Sequence, residues 1–434
     1  MDALLRIGLL GLGTVGSAVA RALRARQEEI RRRTGRQLVV THAAVRDLQR
    51  SRNLPLEGVR LHDDPLAVVE QPDVDLVVEL MGGERPALDA IERALRMGRP
   101  VVTANKVVVA RHGAHLLELA AARRVPFLFE AAVGGAIPII RPIQQSLASD
   151  RILAVMGIVN GTCNFVLTSM AEEHSTMEEA VRQAQARGYA EADPTADLSG
   201  SDAAHKLAVL ASLAFNGWLV PDRIACQGIT GVEVRDIQYA RELGFAIKLL
   251  AAARQVGDGD AVEAWVGPAL VPLEHPLAQV RGVNNAIVVV TQAAGELMFY
   301  GPGAGGDPTA AAVLGDVMDI ARRWGPEGRV GGEDGFGRAW VGRPQVATAA
   351  GRSRYYVRLQ VVDRPGVLAA IASVFGRHMV SIESVLQKGR GEDPVDLVFI
   401  THETDDASVA RVLQEVAGLS VVVRTRSPMR VMGP

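Results

Sequence analysis

Cysteine is almost missing: Cys163 and Cys226 are the two in 434 residues. So few excludes a disulfide scaffold and a zinc site built from several thiolates, and suits a reducing compartment. Lysine is scarce as well, with Lys106, Lys206, Lys248 and Lys388 set against 43 arginines. A coding bias that turns surface lysine into arginine accounts for that split. Against such a background, a retained lysine marks a place that arginine cannot fill, since lysine is a compact charge whose pKa can fall into a catalytic range. Neither sign of charge is in excess, the formal net charge being -2. A nucleic-acid binder would need a strong basic surplus or a segregated basic face, so that class is disfavoured. There is no charge-free apolar run of 18 residues or more, so no transmembrane helix is expected. What is abundant is apolar: 48% of residues are hydrophobic and 22% charged, which excludes wholesale disorder. At roughly 150 residues per domain, the length leaves room for about three domains.

The stretch Ile7–Ala20 follows Arg6 and ends in Ala18-Val19-Ala20, the outline of a secretory signal with a small-residue cleavage site. Gly8, Gly11, Gly13 and Gly16 inside it favour a buried strand, a glycine turn and a helix instead. From there to about residue 135, strand-like runs (Arg6–Leu10, Leu38–Val45, Asp75–Leu80, Pro100–Ala104, Pro126–Phe129) alternate with helical ones (Thr14–Arg33, Arg85–Met97, His112–Arg123). Alternation of this kind predicts an α/β unit, a parallel sheet covered by helices. Residues 136 to about 325 mix helices near 162–173, 176–187, 201–216 and 235–254 with strands near 152–159, 262–270, 285–292 and 296–300. Residues 326–352, rich in Gly, Arg and Pro, read as a linker. Residues 353–434 give strand Arg354–Val361, helix Gly366–His378, strands Val380–Gln387 and Val395–Thr401, helix Ala407–Ala417 and strand Ser420–Arg424. That βαββαβ order is a ferredoxin-like plait. The expected boundaries are 1–136 for a Rossmann-type nucleotide domain, 137–325 for an α+β catalytic and dimerisation domain whose end returns to the nucleotide domain, 326–352 for the linker and 353–434 for the plait.

Gly11-Leu12-Gly13-Thr14-Val15-Gly16 fits GxGxxG directly after a strand and at the start of a helix. Gly11 permits the tight turn, Gly13 lets the backbone approach a pyrophosphate, and Gly16 lets helix and strand pack closely. The second strand ends at Val45-Arg46-Asp47. An acid there would hold the ribose hydroxyls of NAD and an arginine the extra phosphate of NADP. Arg46, with Arg50 and Arg52 nearby, tilts the reading towards NADP, while a solvated arginine-rich turn accounts for the same residues. Thr103-Ala104-Asn105-Lys106 follows the fourth strand, where ligands of such sheets bind. Lys106 is thus placed to face a nicotinamide or a substrate carboxylate.

The densest constellation runs from Ala184 to Lys206. Gly188 ends one helix, Ser201 or Asp202 begins the next, and the loop between holds Glu191, Asp193 and Asp197. Asp202 and Lys206 are four apart and share a helix face. Spacing alone leaves two readings open: a helix salt bridge with dipole-complementing acids, or a proton-transfer lysine tuned by burial and a neighbouring carboxylate. His205 falls on another face and reads as structural.

These residues resemble homoserine dehydrogenase of the monofunctional type with a C-terminal ACT domain. The Ala184–Lys206 block is similar to that family's signature. Thr103–Lys106, Phe129–Pro138, Gly157–Asn164 and Tyr300–Thr309 match in order, so the resemblance covers essentially the whole chain. No aspartate kinase segment precedes the nucleotide fold, which sets the fused kinase form aside. The resemblance implies reversible NAD(P)-dependent reduction of L-aspartate 4-semialdehyde to L-homoserine in threonine, methionine and isoleucine synthesis. It gives Lys206 the role of proton donor to the aldehyde oxygen, has Asp202 position substrate and Lys206, and has Glu191 hold the substrate amino group. Gly188 would join Glu191 and Asp202 in binding substrate, and Lys106 would lie between cofactor and substrate. Gly13, Thr14, Val15, Thr103 and Gly303 match cofactor-contacting positions. Glu130, Val133, Gly135 and Ile137 match a structural sodium site made largely of backbone carbonyls, an oxygen set suited to a hard cation. Cys163 and Cys226 read as packed thiols.

Val362-Asp363-Arg364-Pro365-Gly366-Val367-Leu368 is similar to the ligand-binding turn of ACT domains, which implies L-threonine as effector between paired domains. A dimerisation module that has lost its effector is the alternative, since fold does not fix function. The expected protein is a cytoplasmic homodimer or homotetramer without nucleic-acid or membrane partners. Two rivals stand beside it: another dehydrogenase acting on a different small amino-acid aldehyde or alcohol, and a catalytically silent amino-acid sensor. The set Glu191, Asp202 and Lys206 argues against the first, and the retention of Lys106 and Lys206 against the second.

Overall fold

A computed structural model describes residues 3–52, 54, 56–257, 261–325, 351–388 and 394–433. Most of the predicted linker, 326–350, lies outside the described residues. The described residues fall into two compact units. The first draws on Met1–Val155, His205–Arg223 and Ala286–Val346, the second on Met156–Ala204, Ile224–Asn285 and Ala347–Pro434.

In the first unit, strands β1 (Ala3–Leu10), β2 (Arg36–Ala44), β3 (Arg60–His62), β4 (Leu76–Glu79), β5 (Val101–Thr103) and β6 (Phe127–Leu128) form a six-stranded sheet. Its order is β3-β2-β1-β4-β5-β6 and every pairing is parallel. Chain order reverses between β1 and β4, the switch point at which nucleotides bind outside the carboxyl ends of the strands. Helices cover both faces, so a strand such as β4 is buried at every position, as parallel strands require. The expected helix Thr14–Arg33 is two helices, Thr14–Ala25 and Gln27–Thr34, broken at Arg26. The second piece opens on Glu28 and Glu29 and closes on Arg31 to Arg33, matching the helix dipole at both ends. The helix expected from His112 begins at Lys106, with the Asn105 side chain accepting from the Val108 N–H as N-cap. Three consecutive β-branched valines gave that first turn the look of a strand. Helix Gly306–Arg323 packs on helix Thr14–Ala25, and Val313, Val317 and Ile320 share one core with Leu9, Val19 and Leu23. Strands β7 (Ile152–Ile158), β11 (Asn284–Thr291) and β12 (Gly295–Pro302) lie in the order β12-β11-β7.

In the second unit, β8 (Ala225–Cys226) pairs in parallel with β10 (Val262–Pro272). The expected helix near 235–254 is corrected: helix Val234–Glu242 stops before Gly244, whose φ is +86°, and β9 (Phe245–Gln255) follows. The alanine-rich run Phe245–Gln255 favours a helix by propensity. It becomes a strand because it pairs residue for residue, antiparallel, with β10, and tertiary pairing overrides a weak local preference. The C-terminal plait is built from β13 (Arg352–Val361), helix Val367–Arg377, β14 (Ile382–Lys388), β15 (Val395–Thr401), helix Asp406–Ala417 and β17 (Val422–Thr425), with the short β16 (Thr404–Asp405) beside β13. The strands lie in the order β17-β13-β15-β14, all antiparallel. Its core holds Val357, Leu359, Ile371 and Val412, and the rings of Phe375 and Phe399 stack at 5.1 Å. Among the short strands not foreseen, β18 (Met429–Val431) pairs with β10 in parallel and with β13 antiparallel, so the plait and the β9–β10 hairpin share one sheet. Among the described residues no helix is long and apolar enough to cross a membrane.

Candidate active site

The glycine turn lies where β1 gives way to helix Thr14–Ala25. Gly11 has φ +101°, and a Cβ there would stand 2.8 Å from the Leu80 carbonyl oxygen. A Cβ on Gly16 would meet the Gly11 carbonyl oxygen at 2.0 Å, so both glycines are required by packing. Gly13 differs: a Cβ there would meet nothing within 4 Å, which leaves its backbone facing open space. Helix Thr14–Ala25 has no side-chain cap and no acid in its first turn, so its N–H groups and positive dipole end stay available to an anion. A cavity of about 720 Å³ opens here, its wall including Gly11, Gly13, Thr14, Arg46, Arg50 and Arg52. Val15 packs its side chain against the core and Gly16 is buried, so at both positions the backbone alone is left for a ligand.

Arg46 and Arg50 make no ion pair among the described residues, whereas Arg52 donates to the carbonyls of Arg50 and Asp47 at 2.8 and 2.6 Å. Asp47 Oδ1 accepts from the N–H groups of Gln49 and Arg50. That carboxylate therefore shapes its own loop.

On the other side of the switch point, Thr103 is fully buried and its hydroxyl donates to Glu79 Oε2 at 2.6 Å while accepting from the Asn105 N–H. Glu79, which sequence reading missed, is itself fully buried, accepts from the Met81 N–H at 2.7 Å, and burial pushes its carboxyl up. The signal was present as a lone acid ending the apolar run Leu76–Glu79. Lys106 is half-buried at the first position of its helix. Neither Thr103, Lys106 nor Gly303 lines the 720 Å³ cavity. Gly303 is buried against the turn at Gly135, where a Cβ would meet the Gly303 carbonyl oxygen at 2.6 Å. Gly306 lies against Thr14 in turn, so the 303–306 loop touches the glycine turn and the Gly134-Gly135 turn alike.

The four residues matched to a cation site occupy that second turn, where Gly134 and Gly135 have φ of +72° and +60°. The Glu130 carboxylate is committed elsewhere, accepting from the N–H groups of Ile139, Ile140 and Arg141 at 2.7, 2.8 and 3.0 Å. Its neighbour Asp316 accepts from the Glu130 N–H and from Arg141, and burial raises its carboxyl to about 7. Among the described residues no group of three or more His, Cys, Asp or Glu side chains is placed to hold a metal. Oxygen ligands from Glu130, Val133, Gly135 and Ile137 would therefore be main-chain carbonyls, a set open to a monovalent cation and unsuited to zinc.

In the second unit Gly188, with φ +72°, follows helix Met177–Ala186 and turns the chain into the acidic loop, while Gly200, with φ +85°, turns it into helix Ser201–Ala214, which from His205 onward belongs to the first unit. Asp202 is buried and Glu191 exposed. Lys206 lies one turn beyond Asp202 on the same helix. Asn160, another residue that sequence reading assigned no role, donates from Nδ2 to Asp197 at 2.7 Å and to Asp202 at 2.9 Å. Cys163 is buried as expected. Cys226 is exposed as a residue, contrary to expectation, although its thiol contacts the Ser199 carbonyl and burial of the sulfur pushes its pKa up. A raised thiol is a poor nucleophile.

A doubly wound parallel sheet with an uncapped, glycine-opened helix at its switch point is the architecture of a dinucleotide-binding protein. Comparison with known proteins narrows the class. Residues 138–318 match the model of the homoserine dehydrogenase family, 11–130 that of the homoserine dehydrogenase NAD-binding domain, and 355–420 that of the ACT domain. A homoserine dehydrogenase of Corynebacterium glutamicum is 42% identical over 98% of this chain and 95% of its own length. The crystal structure of a homoserine dehydrogenase from Thiobacillus denitrificans superposes with a TM-score of 0.90 at 38% identity, covering 100% of this chain and 99% of that one. A hyperthermophilic archaeal homoserine dehydrogenase, solved in complex with NADPH, matches 73% of this chain and 97% of its own, with TM-score 0.62 and 26% identity. The chain belongs to the homoserine dehydrogenase family, NAD(P)-dependent oxidoreductases of amino-acid biosynthesis that act on a CH–OH group, and carries an ACT domain.

Proposed function

We propose that the protein interconverts L-aspartate 4-semialdehyde and L-homoserine, on the route to threonine, methionine and isoleucine, with NADP(H) preferred and NAD(H) accepted. The observation that carries this reading is the placing of Asp202 and Lys206 one turn apart on the helix that Gly200 opens. The bound nicotinamide supplies or takes up the hydride. Lys206 donates its proton to the aldehyde oxygen as negative charge develops there, and its ammonium stabilises that charge before the transfer. Asp202 orients Lys206 and, with Glu191 and Gly188, binds the amino-acid end of the substrate. Lys106 lies between cofactor and substrate. Gly11, Gly13, Thr14, Val15, Gly16, Thr103 and Gly303 would hold the cofactor, with the helix N-terminus open to its pyrophosphate. Arg46 would take the 2′-phosphate, a role supported by its making no ion pair among the described residues and by the commitment of Asp47 to its own loop. Glu130, Val133, Gly135 and Ile137 would hold a structural sodium ion through their carbonyls.

The domain reading goes with it: 1–136 for nucleotide, 137–325 for catalysis and dimerisation, 326–352 as linker and 353–434 as the regulatory module. L-Threonine would bind at the Val362–Leu368 turn and inhibit, in a cytoplasmic homodimer or homotetramer. Purified protein with L-homoserine and either NADP or NAD, followed at the absorbance of the reduced nicotinamide, tests the whole proposal. Turnover faster with NADP, slowed by threonine, is the expected result. The absence of turnover with both cofactors, in folded protein with sodium or potassium present, would refute it in favour of an amino-acid sensor. Arg46→Ala is expected to raise the KM for NADP about tenfold or more and to leave that for NAD unchanged, since one charge-assisted phosphate contact is worth about 1.5–3 kcal/mol.

A further inference from the structure

The first turn of helix Gly161–Glu172 grips the acidic loop at several points. Thr162 donates its hydroxyl to the Tyr189 carbonyl at 2.8 Å, and Cys163 its thiol to the Asp197 carbonyl at 3.1 Å. Asn160, 4% exposed, does more. Its Oδ1 accepts from the Cys163 N–H at 2.8 Å and caps the helix. Its Nδ2 then faces the Asp197 and Asp202 carboxylates at 2.7 and 2.9 Å. The cap fixes the orientation of the amide, because the oxygen has to meet the N–H and the NH₂ has to meet the acids.

We infer that Asn160 is a positioning residue for the reaction: its two amide hydrogens bridge Asp197 and Asp202, so that Asp202 is held in one orientation a helical turn before Lys206. The inference rests on the roles proposed above for Asp202 and Lys206. Two neighbouring carboxylates, one of them buried, would otherwise repel each other. An uncharged donor of two hydrogen bonds stabilises both anions and adds no charge of its own. A cation in its place would compete with Lys206 for Asp202, and an apolar side chain would remove the donor that the two acids share. The other ionisable groups around this clamp are Asp193 and Glu191 in the loop, His205 and Lys206 further along the helix of Asp202, and Lys248 on β9, which is engaged by Asn164 and the Val280 carbonyl.

Asn160→Asp separates the two jobs of the residue. Aspartate caps a helix as well as asparagine does, but it loses both donors and sets a third carboxylate against Asp197 and Asp202. The expected result is a loss in kcat of about tenfold to a hundredfold at neutral pH, with the KM for cofactor and the far-UV spectrum unchanged. That deficit, relative to the parent protein, shrinks as pH falls, because one proton taken up among the three acids restores a donor. Asn160→Ser keeps the cap and one donor, and should fall between the two. Asn160→Ala should be as impaired as Asn160→Asp without recovery at low pH. Parent-like kcat in Asn160→Asp, or a deficit that stays constant with pH, would overturn the inference. Where Asn160→Asp fails to fold, parent-like kcat in both Asn160→Ser and Asn160→Ala overturns it. Lys206→Ala assayed alongside distinguishes the failures. An active Lys206→Ala removes the underlying reading, whereas an inactive one beside a fully active Asn160→Asp removes this inference alone.

Discussion

Two of the four lysines show how differently one residue type is used. Lys248, on β9, is buried, and its Nζ donates to the Val280 carbonyl at 2.6 Å and to Asn164 at 3.3 Å. Burial, aided by the nearby Arg281, lowers its pKa from 10.5 to about 8. The unfolded chain therefore binds more protons than the folded one between those values, and stability rises with pH across that window. The gain is at most about 3.5 kcal/mol, since each pH unit crossed contributes no more than about 1.4 kcal/mol. Denaturant titrations from pH 8 to 10.5 should show the parent protein gaining stability relative to Lys248→Met as pH rises. Lys206 is half-buried on its helix, and its replacement should act on rate. Lys206→Ala is expected to cut kcat about a thousandfold, within the range of a lost general acid, with the dissociation constant for cofactor close to normal by fluorescence titration.

At the scale of elements, the glycine turn offers a clean separation of stability from binding. A Cβ on Gly13 meets nothing in the protein, whereas one on Gly16 meets the Gly11 carbonyl oxygen at 2.0 Å. Gly13→Ala should keep the melting temperature of the parent and weaken cofactor binding tenfold or more, because the methyl occupies the approach to the pyrophosphate. Gly16→Ala should lower both. Calorimetry beside cofactor titration checks the pair. The plait carries a second element-scale device. β13 turns Tyr355, Val357 and Leu359 into its own core, and Tyr356 and Arg358, both buried, the other way, where they meet helix Val234–Glu242. Arg358 bonds Asp236 at 2.6 Å and Glu233 at 2.6 Å and lies 3.5 Å from Asp396, which also accepts from Tyr239 at 2.8 Å. Arg235 also pairs with Asp396 and Arg426 with Glu233, so removing Arg358 deprives Asp236 of its cation, and unpairing a buried carboxylate costs about 3–5 kcal/mol. Arg358→Met should lower the denaturant midpoint accordingly, and raising acidity should recover part of the loss.

At the scale of the molecule, the last strand matters most. β18 lies between β10 and β13, so the plait is hydrogen-bonded into the sheet of the β9–β10 hairpin and is more than a module at the end of a linker. Arg430 on β18 extends the join: it pairs with Glu263 of β10 and with Asp406 of the plait, and lies over the Trp265 ring at 4.8 Å. Ending the chain at Thr425 opens two strand edges, each a template for unwanted pairing. Such a truncation should aggregate more readily, and its residual dehydrogenase activity should no longer respond to L-threonine. Light scattering and the same absorbance assay check both outcomes.

Local chemistry was legible in the residue order. GxGxxG after an apolar strand, the Gly188–Lys206 block and the βαββαβ alternation each place their residues through short-range spacing, and the folded chain holds them in the elements so expected. What residue order left open depended on partners far away along the chain. Phe245–Gln255 became a strand because Val262–Pro272 lies beside it, and Met429–Val431 became one because two distant strands left edges to fill. Asn160 had no reading in the sequence because its meaning lies in acids 37 and 42 residues away. Glu79, Arg358 and Lys248 likewise gained theirs from burial, which sets the cost of a charge and is a property of the assembled core. Periodicity and turn chemistry are local and are written in the order of residues; desolvation and pairing across the chain are settled by tertiary structure.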